Sequence, residues 1–198
     1  MGEDKRDGIV EAALKLFEEQ GYHQTKVSDI VREAGVAQGT FYLYFQSKED
    51  LFRSIAKSCL DEISSALKRE SIGQDDDDAV YYQMIHSCLT VYYHNITILR
   101  IIYRNGMACR ELKDISEAFY DEMMHIIKDC LKDSEEANGC SEEQLEIMAY
   151  SKIGMVELVA YQWFVVRGCG AEHIDKVAQT IVGMTPDCKA GLPGVNGR

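Results

Sequence analysis

The sequence predicts an all-α protein, and three observations carry that reading. No proline occurs before Pro186 in a chain of 198 residues, so nothing in the first 185 positions breaks a helix at the backbone. Apolar residues recur at i, i+3, i+4 and i+7 through most of that length. No stretch alternates cleanly enough to demand a strand, and no repeat period appears.

Each element has its own justification. From Ile9 the positions Ile9, Ala13, Leu16 and Phe17 share one face, with Glu11, Lys15, Glu18 and Glu19 largely on the other. Gly21 closes that helix. Ser47-Lys-Glu-Asp50 resembles a capping box and opens a long helix through Leu51, Ile55, Cys59, Ile63 and Leu67 toward Ile72-Gly73. After the acidic turn GQDDDD, helical spacing resumes with Tyr82, Ile85, Leu89, Tyr92 and Ile96, and the four aspartates suit a helix N-terminus. Further helices are expected over about Lys113–Leu131, Ser141–Arg167 and Glu172–Val182. Ser141-Glu-Glu-Gln144 forms a capping box and Gly168 a stop.

Composition narrows the function classes. At 46% hydrophobic and 27% charged residues the chain is ordinary globular protein, which excludes wholesale disorder, a collagen-like fibre and a disulfide miniprotein. The longest nearly apolar run, Leu158–Val166, is interrupted by Gln162 and bounded by Glu157 and Arg167, far short of the roughly 18 residues a membrane span needs. The N-terminal MGEDKRDG has no apolar signal core, so a cytoplasmic location with no membrane partner is expected. Seven cysteines without a CxxC pair predict reduced, packed thiols rather than zinc or disulfides. No metal or cofactor is expected. The net charge of −12 argues against a nucleic-acid partner on average, but its distribution is uneven: −2 through Arg69 and −10 from Glu70 onward.

One segment departs from plain amphipathic helix. TKVSDIVREAGVAQGTFYLYFQ, Thr25–Gln46, holds two short helical patterns about Gly35, with Ile30, Ala34, Val36, Phe41 and Tyr44 at the spacing of a helix-turn-helix. Thr25 is placed to cap the first helix, and Gln38, Gly39 and Thr40 open the second, where backbone N–H groups favour phosphate. Tyr42, Leu43 and Tyr44 follow, then Lys48. Gln38 can read an adenine edge and Leu43 can meet a thymine methyl. The bare pattern equally suits a helical hairpin that never touches DNA.

A larger constellation bears on that choice. Ile9-xxx-Ala13-xx-Leu-Phe-xxx-Gly21-Tyr22, Val27-Ser-Asp-Ile30, Ala34-Gly-Val-x-x-Gly39-Thr-Phe-Tyr-x-Tyr-Phe45 and Ser47-Lys-Glu-x-Leu51 resemble, in one register from residue 6 to about 55, the DNA-binding region of the TetR (tetracycline repressor) family. The resemblance implies a homodimer whose first three helices enter successive major grooves of a palindromic double-stranded operator, and a C-terminal helical domain whose small-molecule effector releases the repressor. It implies phosphate contacts from Thr25, Lys26, Thr40, Tyr44 and Lys48, and base contacts from Gln38, Gly39, Tyr42 and Leu43. The corresponding domains are residues 1–47 for DNA binding and 48–184 for effector binding and dimerisation, with 185–198 a mobile tail. Val31 stands where the family usually has alanine, and no arginine or lysine lies on the recognition helix. The wording of Gly21–Asp50 is especially similar to acyl-CoA-responsive repressors of fatty-acid degradation, which points to a lipid-like effector.

Polar groups on otherwise apolar faces of the effector half, His86, Tyr93, Arg104, His125, Glu157 and Tyr161, together with Met107, are candidate ligand contacts. Each has an alternative role as a satisfied core or interface residue. Arg104 offers a planar fork to a carboxylate or phosphate. The apolar stripes Ile147, Gly154, Leu158, Tyr161 and Val165, and Ile174, Val177, Ala178 and Ile181, are expected to pair with a symmetry mate. Two rival readings stand beside these. One is a redox- or metal-sensing regulator on the same head, with Cys109 beside Arg110 its best thiol. The other is a ferritin-like metalloenzyme using Glu122-x-x-His125, for which no second Glu-x-x-His exists in the chain. A regulator switched by a protein partner also remains open.

Overall fold

The computed structural model describes residues 2–70, 77–105, 110–132 and 137–184. Among these every regular element is helical: α1 Gly2–Gln20, α2 Val27–Glu33, α3 Gln38–Tyr44, α4 Lys48–Glu70, α5 Asp77–His94, α6 Ile96–Asn105, α7 Arg110–Lys132, α8 Glu142–Ala160 and α9 Ile174–Met184. The all-α class therefore holds. Of the four aspartates of the acidic run, the last two open α5. The rest of that turn, Met107, Cys109 and the tail from residue 185 lie outside the described residues, as does the side chain of Arg104.

Contacts divide the chain into two units: Met1–Asp61 with Asn95–Phe119, and Glu62–His94 with Tyr120–Arg198. The cut at residue 47 expected from the sequence falls inside the first unit, because α4 enters it as a core helix with Leu51 and Phe52 fully buried. In that unit Ile9, Ala13 and Phe17 of α1 meet Ile30 of α2 and Phe41 of α3 in the interior. Phe17, Tyr22 and Phe52 form an aromatic cluster with ring centroids 5.1–6.2 Å apart and planes inclined by 52–65°, close to the edge-to-face arrangement such rings favour. α6 packs on α1 and buries Ile98, Leu99 and Ile102. The sequence did not separate α6 from α5. They break at Asn95, where the chain passes from one unit to the other.

Local signals govern the helix ends. Ser47 Oγ accepts from the Asp50 N–H at 3.1 Å, while the Asp50 carboxylate accepts from the Gln46 N–H at 2.9 Å. The Ser141–Gln144 capping box is reciprocal, at 3.3 and 2.8 Å. The cap of α2 differs from expectation. Lys26, not Thr25, is its N-cap residue, and the Asp29 carboxylate accepts from the Lys26 N–H at 3.2 Å.

In the second unit α9 lies on α5 and buries Ile174, Val177, Ala178 and Ile181. That stripe, expected to meet a symmetry mate, is consumed within the protomer. Met124 and Leu131 of α7 pack with Leu145 and Ala149 of α8. Beside them Lys128 buries its aliphatic stem and donates to Glu146 and Glu142, each at 3.2 Å. α8 runs into a wider helical turn, Tyr161–Val166, where the Arg167 N–H reaches the Gln162 carbonyl at 3.1 Å. Gly168, at φ +67°, then ends it as expected. The outer side of α8 keeps large apolar groups in solvent: Ile147, Tyr150 and Leu158.

Candidate nucleic-acid interface

The helix-turn-helix is built from two seven-residue helices, α2 and α3. Helices this short are not stable alone, so their placement depends on buried anchors. Ile30 and Phe41 are fully buried, and Phe45 closes α3 with its ring 5.7 Å from that of Phe41. Gly35 supplies the corner at φ +65°, a backbone state that side-chain-bearing residues rarely adopt. Val31 is buried in the same packing.

With Phe41 and Phe45 directed inward, the remaining face of α3 is presented to solvent. Tyr42 is 52% exposed and Leu43 80% exposed, while Gln38 and Gly39 at its start are also exposed. Such exposure of a tyrosine and a leucine on a helix held by two buried phenylalanines is unfavourable in the free protein. It is what a surface awaiting a partner requires. Thr40 and Tyr44 are half-buried at its edges, and Lys26 is exposed at the start of α2.

Two expected phosphate contacts sit differently. Thr25 is 1% exposed. Its hydroxyl donates to the Gly21 carbonyl at 2.9 Å and accepts from Gln20 Nε2 at 3.2 Å, so burial removes that side chain from the contact set. Lys48 donates to the carbonyls of Tyr22 and Thr25, at 2.8 and 3.0 Å, and lies 4.2 Å over the Tyr22 ring. Its ammonium tethers the α1–α2 loop. Beside it, burial pushes the Glu49 carboxyl up, but hydrogen bonds from its own N–H and Ser47 and the charge of Lys48 outweigh that and hold it below its ordinary value.

Further supports were invisible in the sequence because their partners are remote. The Lys15 ammonium of α1 pairs with Glu33 of α2, whose hydrogen bond and charge raise the lysine pKa. Arg6 of α1 donates to Ser54 Oγ of α4 at 2.7 Å, and its guanidinium lies 5.5 Å from the Phe45 ring centroid. No local pattern marks a residue that pairs across 48 positions.

The effector-half candidates scatter. Glu157 is half-buried and accepts from Tyr120 Oη at 2.6 Å, and burial raises its carboxyl pKa against the effect of that hydrogen bond. Tyr93 packs edge-on to the buried Phe164 at 5.4 Å, and Tyr161 is half-buried at the start of the wide turn. His86 lies on α5 with Nε2 3.4 Å from the Asp175 carboxylate, which also accepts from Tyr82 Oη at 2.6 Å. The His125 side chain is exposed on α7 beside Asp121, at 3.8 Å. Glu122 is exposed with it, so the Glu-x-x-His pair points to solvent rather than into a bundle core. No cluster of three or more metal-ligating side chains occurs among the described residues. The Cys88 thiol is pushed up to about 12 by burial, with Cys130 adding to the effect, which leaves it un-ionised and unreactive at neutral pH.

Comparison with known proteins places this geometry in context. Residues 9–55 match the model for bacterial regulatory proteins, tetR family. The chain is 28% identical over 165 residues to the HTH-type transcriptional regulator YvdT of Bacillus subtilis (strain 168), covering 81% of this chain and 83% of that one. It is 42% identical over 62 residues to the fatty acid metabolism regulator protein of the same organism, covering 31% and 32% respectively. In structure it resembles the fatty acid degradation regulator FadR from Bacillus halodurans, with a TM-score of 0.75 at 21% identity over 91% of this chain and 95% of that one.

Proposed function

This chain belongs to the TetR family of bacterial transcriptional regulators, and from that premise we propose that it is a homodimeric repressor released from a palindromic operator by a lipid-like effector. The observation that carries the DNA-reading part is the outward face of α3, with Tyr42 and Leu43 in solvent over the buried Phe41 and Phe45. On this reading Gln38, Gly39, Tyr42 and Leu43 address base edges, while Lys26, Thr40 and Tyr44 contact phosphates. Lys48 acts through the loop it tethers. With no cation on α3, guanine-directed readout is weak, and specificity depends on dimer spacing and DNA shape. The acid concentrated beyond residue 69 disfavours DNA contact outside the head.

The dimer is assigned to the outer face of α8, since the α9 stripe is covered by α5. A lipid-like effector is supported by the similarity of the head to a fatty acid metabolism regulator and by a second unit that holds six of the chain's eight methionines, side chains that suit an adaptable apolar cavity. Tyr93, Glu157 and Tyr161 are its proposed contacts, with His86 at α5. Arg104 and Met107 are retained from the sequence as further candidates. A thermal-shift screen against fatty acids, acyl-CoAs, small aromatics and divalent metals tests this, because a ligand of the native state raises the melting temperature. Hits are then assayed for release of DNA from the region upstream of the protein's own gene. An acyl-CoA or fatty-acid hit that releases DNA is the expected result. A metal hit, or DNA binding indifferent to every compound, would overturn the lipid reading in favour of a sensor or partner-switched regulator.

A further inference from the structure

We infer that Arg6 is a positioning residue for the recognition helix, locking the α3–α4 corner so that α3 meets base edges at a fixed angle. The inference rests on the DNA-reading assignment of α3.

α3 has seven residues and its N-cap, Ala37, offers no side-chain hydrogen bond. Its orientation therefore depends on tertiary anchors, the buried Phe41 in its middle and whatever holds its C-terminal end. There the backbone turns extended at Phe45, whose N–H bonds the Phe41 carbonyl at 3.0 Å. Arg6 acts on that residue from a different helix. Its guanidinium carbon lies 5.5 Å from the Phe45 ring centroid, Nη2 donates to Ser54 Oγ at 2.7 Å, and Nη1 is 3.8 Å from the Asp7 carboxylate. One planar group thus joins α1, the end of α3 and α4. Asp7 is mostly exposed, so that ion pair is weak. The cation–π contact with Phe45 and the Ser54 hydrogen bond define the geometry. Arginine can do both at once because its fork is flat and its donors lie in the plane. A lysine ammonium in that place would lose one or the other.

The consequence for DNA reading follows from how steeply contacts depend on geometry. Hydrogen bonds to base edges weaken quickly with misalignment, while phosphate contacts carry no sequence information. A small rotation of α3 therefore costs sequence preference before it costs general affinity.

The test uses the full-length protein and two duplexes: one enriched by the wild type from a random-sequence library, and a scrambled duplex of the same composition. Arg6→Ala should lose about ten-fold in affinity for the enriched duplex, the scale of one base contact, and less than about two-fold for the scrambled one. The slope of log affinity against log salt should stay unchanged, because no phosphate contact is removed. Arg6→Lys should rescue only partly, and Ser54→Ala should show a smaller loss of the same kind. Equal losses on both duplexes with a slope reduced by about one would make Arg6 a direct phosphate contact and overturn the inference, as would unchanged affinity for both. If Arg6→Ala fails to fold by urea denaturation, Arg6→Lys and Ser54→Ala carry the same comparison. A wild type that enriches no duplex would refute the DNA-reading assignment itself, and the Arg6 inference with it, a result distinct from any variant-specific outcome.

Discussion

Truncation of Leu158 to alanine gives the most direct measure of the proposed dimer. Leu158 is 49% exposed on α8, and Ile147, three turns earlier on the same helix, is 59% exposed. Full burial of a leucine side chain is worth about 1.5–3 kcal/mol. About half of that surface is still open in the protomer, so covering it contributes about 1 kcal/mol. A two-fold interface uses each residue twice, and Leu158→Ala should cost about 2 kcal/mol per dimer, or about thirty-fold in the dimer dissociation constant. Sedimentation velocity across a dilution series measures that constant, with thermal denaturation of the second unit checking that the fold persists. Half-affinity for DNA should move to higher protein concentration in parallel, because one head alone cannot span two half-sites. Dissociation constants within about three-fold of wild type for both Leu158→Ala and Ile147→Ala, with wild type dimeric, would refute the assignment of α8 as the shared face.

Two other outcomes follow. Tyr42→Ala or Gln38→Ala should lower the preference for an enriched duplex by roughly ten-fold or more while leaving the dimer intact, and loss of dimerisation by sedimentation would contradict their placement on the reading face. Burial raises the Glu157 carboxyl above its ordinary value, with the Tyr120 hydrogen bond opposing it. The native state therefore holds that proton more tightly than the unfolded chain. The stabilisation is full below the unfolded value, about 4.3, and is lost as pH rises through the folded one. Glu157→Gln, neutral at every pH, should melt higher than wild type at pH 7 and close to it near pH 4. A lower melting temperature at pH 7 would show that the ionised carboxylate is stabilised by a charge partner instead.

Much of the fold was legible because helix signals are local. Capping at Ser47 and Ser141, the corner at Gly35 and the stop at Gly168 each depend on neighbours within a few positions, and each appears where the residues place it. The exposed face of α3 was legible for the same reason: once Phe41 and Phe45 face inward, helical geometry leaves Tyr42 and Leu43 outside. The head's supports were not legible. Thr25 carries the composition of a phosphate contact, and only the structure shows its side chain buried within the α1–α2 loop with its hydroxyl on the Gly21 carbonyl. Glu157 stood out as a carboxylate among apolar neighbours, but its partner Tyr120 lies 37 positions away on another helix.

The amino-acid pattern by itself determined the helical class, the helix-turn-helix and the side of each helix that is apolar. Which apolar sides are covered within the protomer and which are left for a partner was decided by tertiary structure. The stripes on α8 and α9 look alike in sequence, yet α5 packs over the second and leaves Ile147 and Leu158 of the first in solvent. The reason is physical: periodicity records how a helix would divide its own surface between oil and water. The occupant of the apolar side is chosen by contacts between residues far apart in the chain, and no local period encodes them.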